Sequence, residues 1–515
     1  MADYQDQIDG YRGTLEAGPE VSPSENPQVP AAPKPQKSES ALYRISRTVI
    51  LGCVLLRALG GGTSEHEQKI IDARASLDAG NLQAAQSQFE EIANDGATPS
   101  PWSSVARFEL GRVAFRREDY PEAIRLTTQA LQLSDLPEEE QLQARVIRGA
   151  AACESGDYTW AREDIPIVLA QNDLTDQFRA RALLVRAMVR SQDGNFEAAI
   201  ADETEAIKLA SGDIDLITNL LYNRGVDYGS LNRLDEQLAD YDAAIALNSS
   251  ETSTRLLAYH NRSIVYARIG RIDDAIADAK TVLAMNNLTT ADRNRAMQKL
   301  SDFMTAKSQA FVDAEDFAAA IEIETETIEA VSADPDLKSL HWYRRGSWAA
   351  SADQPAKAIE DYDRVIQSGT SNRIILSWSH HDRSTLLQDE DEALKGYQAA
   401  IEVNPEDLEL KLSCLTHCCS IHEDRGHFEK AIESAAAMTA CEGMDATQTA
   451  TSYYLRGYYA LQLGQNDPGL SDLARARKLA VAENLTKIVE SIDEIAPELP
   501  ELPPESADGQ IVAER

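Results

Sequence analysis

The sequence is poor in basic residues and in cysteine. Lys and Arg number 49 against 85 Asp and Glu in 515 residues, so the formal net charge is -36. A chain this acidic repels phosphate backbones, and we expect no nucleic-acid partner. Few cysteines without a framework spacing exclude a disulfide scaffold and favour a reducing compartment. The cysteines are Cys53, Cys153, Cys414, Cys418, Cys419 and Cys441.

Long apolar runs are also missing. The stretch from Val49 to Leu56, flanked by Arg47 and Arg57, is too short to span a bilayer. Its Ile-Leu-Gly-Cys sequence ending at Cys53 resembles a bacterial lipoprotein cleavage box, although little apolar sequence precedes the cysteine. We favour a short helix that packs on the following domain, with membrane or envelope anchoring near Cys53 as an alternative. The expected location is cytoplasmic.

Proline is concentrated at the two ends of the chain. Residues 1–40 are rich in Pro and acidic residues and lack an apolar period, so we expect a disordered arm. Residues 41–64 should form a short apolar helix and a glycine linker. Residues 497–515 should form a second disordered tail, rich in Pro and acidic. The proline-poor middle of the chain favours helices.

A short sequence motif recurs through the proline-poor middle of the chain. Gly194-Asn-Phe-Glu-Ala-Ala-Ile, Gly270-Arg-Ile-Asp-Asp-Ala-Ile and Gly426-His-Phe-Glu-Lys-Ala-Ile each indicate a turn that opens a second helix. The turn residues are Gly80, Glu118, Gly156, Gly194, Asn232, Gly270, Glu315, Asp353, Gln388, Gly426 and Gly464. They follow one another at a step of 38 residues, apart from one step of 45 and one of 35. Such a period predicts eleven helical hairpins.

Small residues stand at fixed distances from the turn residues. A small side chain usually occurs seven residues before the turn, as at Gly149 and Gly225, and alanine usually occurs five residues after it, as at Ala161 and Ala199. Small residues on facing helices allow close packing. The pattern, which covers residues 66 to about 480, resembles the tetratricopeptide repeat (TPR), whose usual unit is 34 residues long. Each unit of 38 residues is four residues longer than the usual one. Four residues are close to one helical turn, so they lengthen a helix without rotating its buried face.

This resemblance implies an all-α fold, an α-solenoid superhelix of about eleven antiparallel hairpins. We expect repeats 1–6 in residues 66–290 and repeats 7–11 in residues 291–482. A capping helix in residues 483–496 should cover the apolar face of the last repeat. Stacked hairpins of this family bind proteins, so we predict a non-catalytic scaffold or adaptor.

Arginine and aspartate occur together in six repeats. The arginine stands eight residues before the turn residue and the aspartate eight after it, and the other five repeats have neither. Positions equidistant from a turn lie at similar heights on antiparallel helices, so we predict structural ion pairs. The pairs are Arg148 with Asp164, Arg186 with Asp202, Arg224 with Asp240, Arg262 with Asp278, Arg345 with Asp361, and Arg456 with Asp472.

The family resemblance implies that the first helix of each hairpin lines a concave groove. Aromatic and amide side chains occur nine and ten residues before several turn residues, and we predict that they bind a peptide. The predicted set is Phe108, Tyr222, Asn223, His260, Asn261, Tyr343, Arg344, Trp378 and Tyr454. The acidic field should favour a basic protein or peptide partner. We expect no small-molecule substrate, and the oligomeric state stays open.

Cysteine and histidine cluster from Cys414 to His422 and suggest an alternative, a metal-binding or enzymatic site. Cys414, Cys418 and His422 are four residues apart and share a helix face. No Cys-x-x-Cys pair occurs, and Cys419 takes the small-residue position, so packing is the preferred interpretation. The adjacent His380 and His381 point in different directions. We find no Ser-His-Asp arrangement and predict no cofactor, no metal and no catalytic residue.

Overall fold

The computed structural model describes residues 65–249, 252–286 and 288–499, and all 23 regular elements in these ranges are α-helices. The helices are Glu65–Asp78 (α1), Leu82–Asn94 (α2), Trp102–Arg116 (α3), Tyr120–Leu131 (α4), Glu138–Glu154 (α5), Thr159–Leu169 (α6), Asp176–Gln192 (α7), Phe196–Leu209 (α8), Ile214–Ser230 (α9), Leu234–Ala246 (α10), Thr252–Arg268 (α11), Ile272–Leu283 (α12), Thr290–Asp313 (α13), Phe317–Ala330 (α14), Pro335–Ser351 (α15), Pro355–Gln367 (α16), Arg373–Leu386 (α17), Glu390–Val403 (α18), Leu408–Asp424 (α19), Phe428–Thr439 (α20), Ala446–Gln462 (α21), Asn466–Ala482 (α22) and Thr486–Ile495 (α23). The all-α fold is therefore confirmed. The predictions for residues 1–64, including Cys53, and for the tail from residue 500 lie outside the described residues.

Helices α1 to α22 alternate as first and second helices of eleven hairpins. Ten of the eleven turn residues have a positive φ, which ends each first helix in a left-handed turn. Glycine adopts this conformation without strain, whereas Glu118, Asn232, Glu315 and Asp353 adopt it with φ between 56° and 60°. The exception is Gln388.

The small residues let the two helices of a hairpin approach closely. A Cβ atom added to Gly149 would lie 3.2 Å from the Ala161 Cα on the facing helix. One added to Gly225 would lie 2.6 Å from the Tyr241 ring. Any larger side chain at these positions would push the helices apart.

The two irregular steps correspond to changes in helix length. The 45-residue step contains α13, which is 24 residues long, where most first helices have 17. The 35-residue step contains α17, which has 14 residues and is followed by Leu387 in an extended conformation. Repeat nine therefore lacks the left-handed turn because its first helix ends one turn early.

The chain divides into two compact units at Asp278 and Ala279. In the first unit, a continuous apolar core runs from Ile70 to Leu220. In the second unit, α23 buries Ile492 against Leu473 of α22. Within each unit, consecutive helices pack together and the first helices of successive hairpins also contact one another. Successive second helices make no comparable contacts in the described ranges.

Candidate functional site

Each predicted arginine and aspartate pair forms a two-point ion pair, here called an arginine clasp. In all six, the arginine Nε donates to one carboxylate oxygen and Nη2 to the other, over 2.6–2.9 Å. The aspartates are buried, so the guanidinium replaces the water that would otherwise solvate them. The clasps join Arg148 to Asp164, Arg186 to Asp202, Arg224 to Asp240, Arg262 to Asp278, Arg345 to Asp361 and Arg456 to Asp472.

Five clasps extend to the preceding repeat, which the sequence reasoning missed. The Nη1 atoms of Arg148, Arg224, Arg345 and Arg262 donate to Thr128, Thr204, Thr325 and Asp242 over 3.2, 2.9, 3.0 and 2.5 Å, respectively. Arg456 Nη1 likewise donates to Thr439 Oγ1 over 2.7 Å. Apart from Thr439, these acceptors stand ten residues after a turn residue. A search for polar residues repeating at that distance could have found them. The arginines thus hold neighbouring hairpins together as well as the two helices of one hairpin.

Repeat seven has no arginine clasp and instead contains a buried histidine network. Ser301 Oγ lies 2.7 Å from Nε2 of His341, and His341 Nδ1 lies 2.6 Å from Glu324 Oε2. The other oxygen of Glu324 accepts from Arg344 Nε at 2.9 Å and from Ser308 Oγ at 2.5 Å. Burial raises the pKa of Glu324, but the hydrogen bond from His341 and the charge of Arg344 outweigh it and leave the pKa below its usual value.

Repeat nine, which also lacks a clasp, has a second histidine network. His381 Nδ1 lies 2.7 Å from Asp382 Oδ1, and its Nε2 lies 2.8 Å from Ser413 Oγ. Tyr343 Oη donates to the second oxygen of Asp382 at 3.0 Å. The network connects α15, α17 and α19, which are the first helices of three successive repeats.

The sequence reasoning did not foresee the hydrogen-bonded serine, histidine and acidic side chains of repeat seven. It missed Ser301 with His341 and Glu324 because these residues come from three different helices. All three side chains are at most 1% exposed, so a substrate cannot reach the serine hydroxyl. We therefore interpret this network as a link between helices.

Two buried carboxyl groups on α8 and α9 each have one oxygen without a hydrogen-bond partner among the described residues. Glu203 Oε2 and Asp227 Oδ2 accept no hydrogen bond, while the other Asp227 oxygen accepts from Ser191 Oγ at 2.5 Å. Burial raises the pKa of Asp227 to about 7, although the Ser191 hydroxyl opposes the shift. Burial and the nearby Asp227 carboxylate raise the pKa of Glu203 well above its usual range.

The structure corrects the predicted peptide-binding set for four residues. Phe108 is completely buried in the first-unit core, and Tyr222, Asn261 and Trp378 are at most 8% exposed. Asn261 Nδ2 donates to Tyr222 Oη at 3.2 Å across α9 and α11. These side chains fill the space between adjacent first helices because the helices lie too close together to leave them in a groove.

The other five predicted residues are partly exposed. Tyr343 and Arg344 belong to the histidine networks, bonded to Asp382 and Glu324. Asn223, His260 and Tyr454 stand on the first helices α9, α11 and α21. Their contact with a partner stays a prediction.

The cysteine and histidine cluster on α19 is largely part of the core. Cys414 is buried beside Trp378 and Tyr397, and Cys419 Sγ donates to the Ala431 carbonyl at 3.5 Å. Burial raises the pKa of the Cys418 thiol to about 11, which disfavours the thiolate that a metal requires. In the described ranges, no three His, Cys, Asp or Glu side chains are placed to share a metal ion. No helix among the described residues is long and apolar enough to cross a membrane.

Comparison with known proteins agrees with the repeat geometry. Residues 73–136 match the family model described as tetratricopeptide repeat. Searching curated proteins gives no significant match.

Solved structures with similarity include the C-terminal part of a TPR repeat-containing protein from Cytophaga hutchinsonii, at 15% identity and a TM-score of 0.36, covering 51% of this chain and 96% of that one. The Cut9-Hcn1 hetero-tetramer of APC/C matches at 13% identity and a TM-score of 0.28, and the match covers 88% of this chain and 96% of that one. A tetratricopeptide repeat protein from Parabacteroides merdae matches at 15% identity and a TM-score of 0.23, and the match covers 61% of this chain and 98% of that one.

Proposed function

Because the chain is built from tetratricopeptide repeats, a fold that generally serves as a scaffold for protein–protein interaction, we propose that it is a non-catalytic adaptor. It binds a segment of a partner protein along the inner side formed by the first helices. The observation that carries this proposal is the packing of successive first helices side by side within each unit. Such a row offers an extended surface.

The excess of acidic residues supports a basic partner segment, because complementary charge speeds encounter and selects partners. Free thiols at Cys153, Cys414, Cys418, Cys419 and Cys441 support a cytoplasmic location. The basic partner segment and the cytoplasmic location both belong to the proposed adaptor function.

Two first-helix positions test the proposed surface without disturbing the clasps. Val226 on α9 and Ile264 on α11 are partly exposed and stand six residues before their turn residues. A double variant with Val226→Lys and Ile264→Lys should lose partner recovery in quantitative affinity capture, because lysine replaces apolar contact and repels a basic segment. The matched control places the same charges on second helix α10, at the exposed Ala239 and Ala246.

The two doubly substituted chains should show equal helix content by circular dichroism. Equal recovery of every partner by wild type and the Val226→Lys, Ile264→Lys chain would exclude the first-helix surface of this unit. Loss of recovery only in the α10 control would move the binding surface to the second helices.

A further inference from the structure

A pair of tyrosines near the C-terminal end of the second unit forms a partly exposed aromatic surface. Tyr454 and Tyr458 stand one turn apart on α21, with ring planes inclined by 14° and centroids 6.3 Å apart. Tyr458 Oη donates to Glu423 Oε1 on α19 at 3.2 Å. The buried Tyr459 donates to the other oxygen at 3.0 Å. Two hydroxyl groups therefore hold the Glu423 carboxylate beside the rings.

The charged groups that act on these two phenols are all carboxylates. Burial raises the pKa of Tyr458, and the Glu423 carboxylate raises it further. The pKa of Tyr454 is also raised by burial; a hydrogen bond with Ser491 opposes this shift, and Glu423 and Glu494 add smaller increases. The surroundings of the pair are therefore negative.

Other tyrosines of the chain stack with its own arginines. Two guanidinium groups lie 4.4–5.9 Å from each of three tyrosine ring centroids: Arg224 and Arg233 at Tyr228, Arg262 and Arg271 at Tyr266, and Arg456 and Arg475 at Tyr453. Among the described residues, neither a guanidinium nor an ammonium group stacks on Tyr454 or Tyr458. The pair is thus an aromatic and acidic surface on which no cation of the described residues stacks.

We infer that the surface formed by Tyr454, Tyr458 and Glu423 receives an arginine or lysine side chain from the partner segment. The negative face of a tyrosine ring attracts a cation, and the carboxylate adds a charge-assisted hydrogen bond. This inference rests on the proposed function and adds a position and a side-chain type to it. The six clasps cannot serve in this way because their carboxylates are already bound to arginine.

A labelled peptide of alternating arginine and glycine tests the inference with the full chain. Binding is followed by fluorescence anisotropy at physiological ionic strength, and a peptide with neutral citrulline in place of arginine measures the charge requirement. Tyr458→Leu should weaken arginine-peptide binding by about threefold to twentyfold, which corresponds to one lost cation–π contact. Tyr458→Phe, which keeps the ring, should retain most of the affinity.

Tyr228→Leu is the matched control, since Arg224 and Arg233 already stack on that ring; it should bind the peptide as wild type does. Equal affinities for wild type, Tyr458→Leu and Glu423→Gln, or equal binding of the citrulline peptide, would overturn the inference. Partner capture that still depends on Val226 and Ile264 would then show that the proposed function stands without this cation site. If partner capture also does not depend on Val226 and Ile264, both the cation site and the proposed function are wrong.

Discussion

Repeats five and seven neutralise a buried carboxylate in different ways. In repeat five, Asp240 is bound by Arg224 of the same hairpin. In repeat seven, Glu324 is bound by His341 and Arg344, which belong to α15 of the next repeat. In a clasp the charge of the carboxylate is therefore balanced within its own hairpin, and only the further bond from Arg224 to Thr204 reaches the preceding repeat. The histidine network instead makes the carboxylate of repeat seven depend on the next repeat. The stability of a repeat array is the sum of the stabilities of single repeats and of the interfaces between neighbouring repeats. The clasp contributes mainly to the first of these, and the histidine network contributes mainly to the second.

Breaking a clasp should have the largest effect. Arg224→Met leaves Asp240 buried without its cation, and we expect a loss of about 4 kcal/mol of local stability. Hydrogen exchange of the α9 and α10 amides measures this loss directly, because a repeat array can unfold in parts.

Adding Asp240→Leu to Arg224→Met supplies the control. The double variant should recover much of the stability, because an apolar pair avoids the cost of burying a charge. Protection in Arg224→Met equal to that of wild type would mean that the clasp contributes nothing to the difference between the two repeats.

The carboxyl group of Asp227 offers a third arrangement, with no cation at all. Its folded-state pKa of about 7 lies above the ordinary value of 3.8, so the folded chain retains a proton that the unfolded chain releases. Stability must then fall as pH rises from about 4 to about 7. Asp227→Asn should remove about 3 kcal/mol of this loss, measured as local exchange protection of α7 and α9 at successive pH values.

Glu205→Gln on α8 is the matched control for the pH series, because Glu205 is exposed. The exchange protection of Glu205→Gln should depend on pH in the same way as that of wild type. An Asp227→Asn profile as steep as that of wild type would assign the pH dependence to another group, with Glu203 as the first candidate.

Replacing the histidine of repeat seven should cost less than breaking a clasp. In His341→Phe, Glu324 still accepts hydrogen bonds from Arg344 and Ser308, while Ser301 loses its partner. We expect a loss of about 2 kcal/mol, concentrated in the contact of α13 and α14 with α15. Exchange that rises equally within the α15 and α16 hairpin would contradict the idea that this network joins neighbouring repeats.

Regular features of the chain could be predicted from its sequence, whereas single ones could not. The clasps occur six times at one distance from the turn, so Arg224 and Asp240 indicate each other without any structural information. His341 occurs once, and its contacts with Ser301 and Glu324 depend on how three helices are placed. The binding face was only partly predictable for a similar reason. Tyr222 and Tyr454 occupy the same repeat position, but the spacing of neighbouring first helices buries one and leaves the other partly exposed.

The smallest effect expected concerns the turn that opens α14 in repeat seven. Glu315 has a φ of 59°, a conformation that costs an L-residue about 1 kcal/mol, whereas Gly270 takes the same place in repeat six with a φ of 79°. Glu315→Gly should therefore stabilise repeat seven by somewhat less than about 1 kcal/mol, because glycine also increases the entropy of the unfolded chain. Gly270→Ala should destabilise repeat six by a similar amount, and hydrogen exchange in the two hairpins measures both changes. If Glu315→Gly instead loosens repeat seven, the glutamate side chain stabilises the turn by more than its backbone strain costs, and repeat seven would differ from repeat six at its turn as well as in its buried carboxylate.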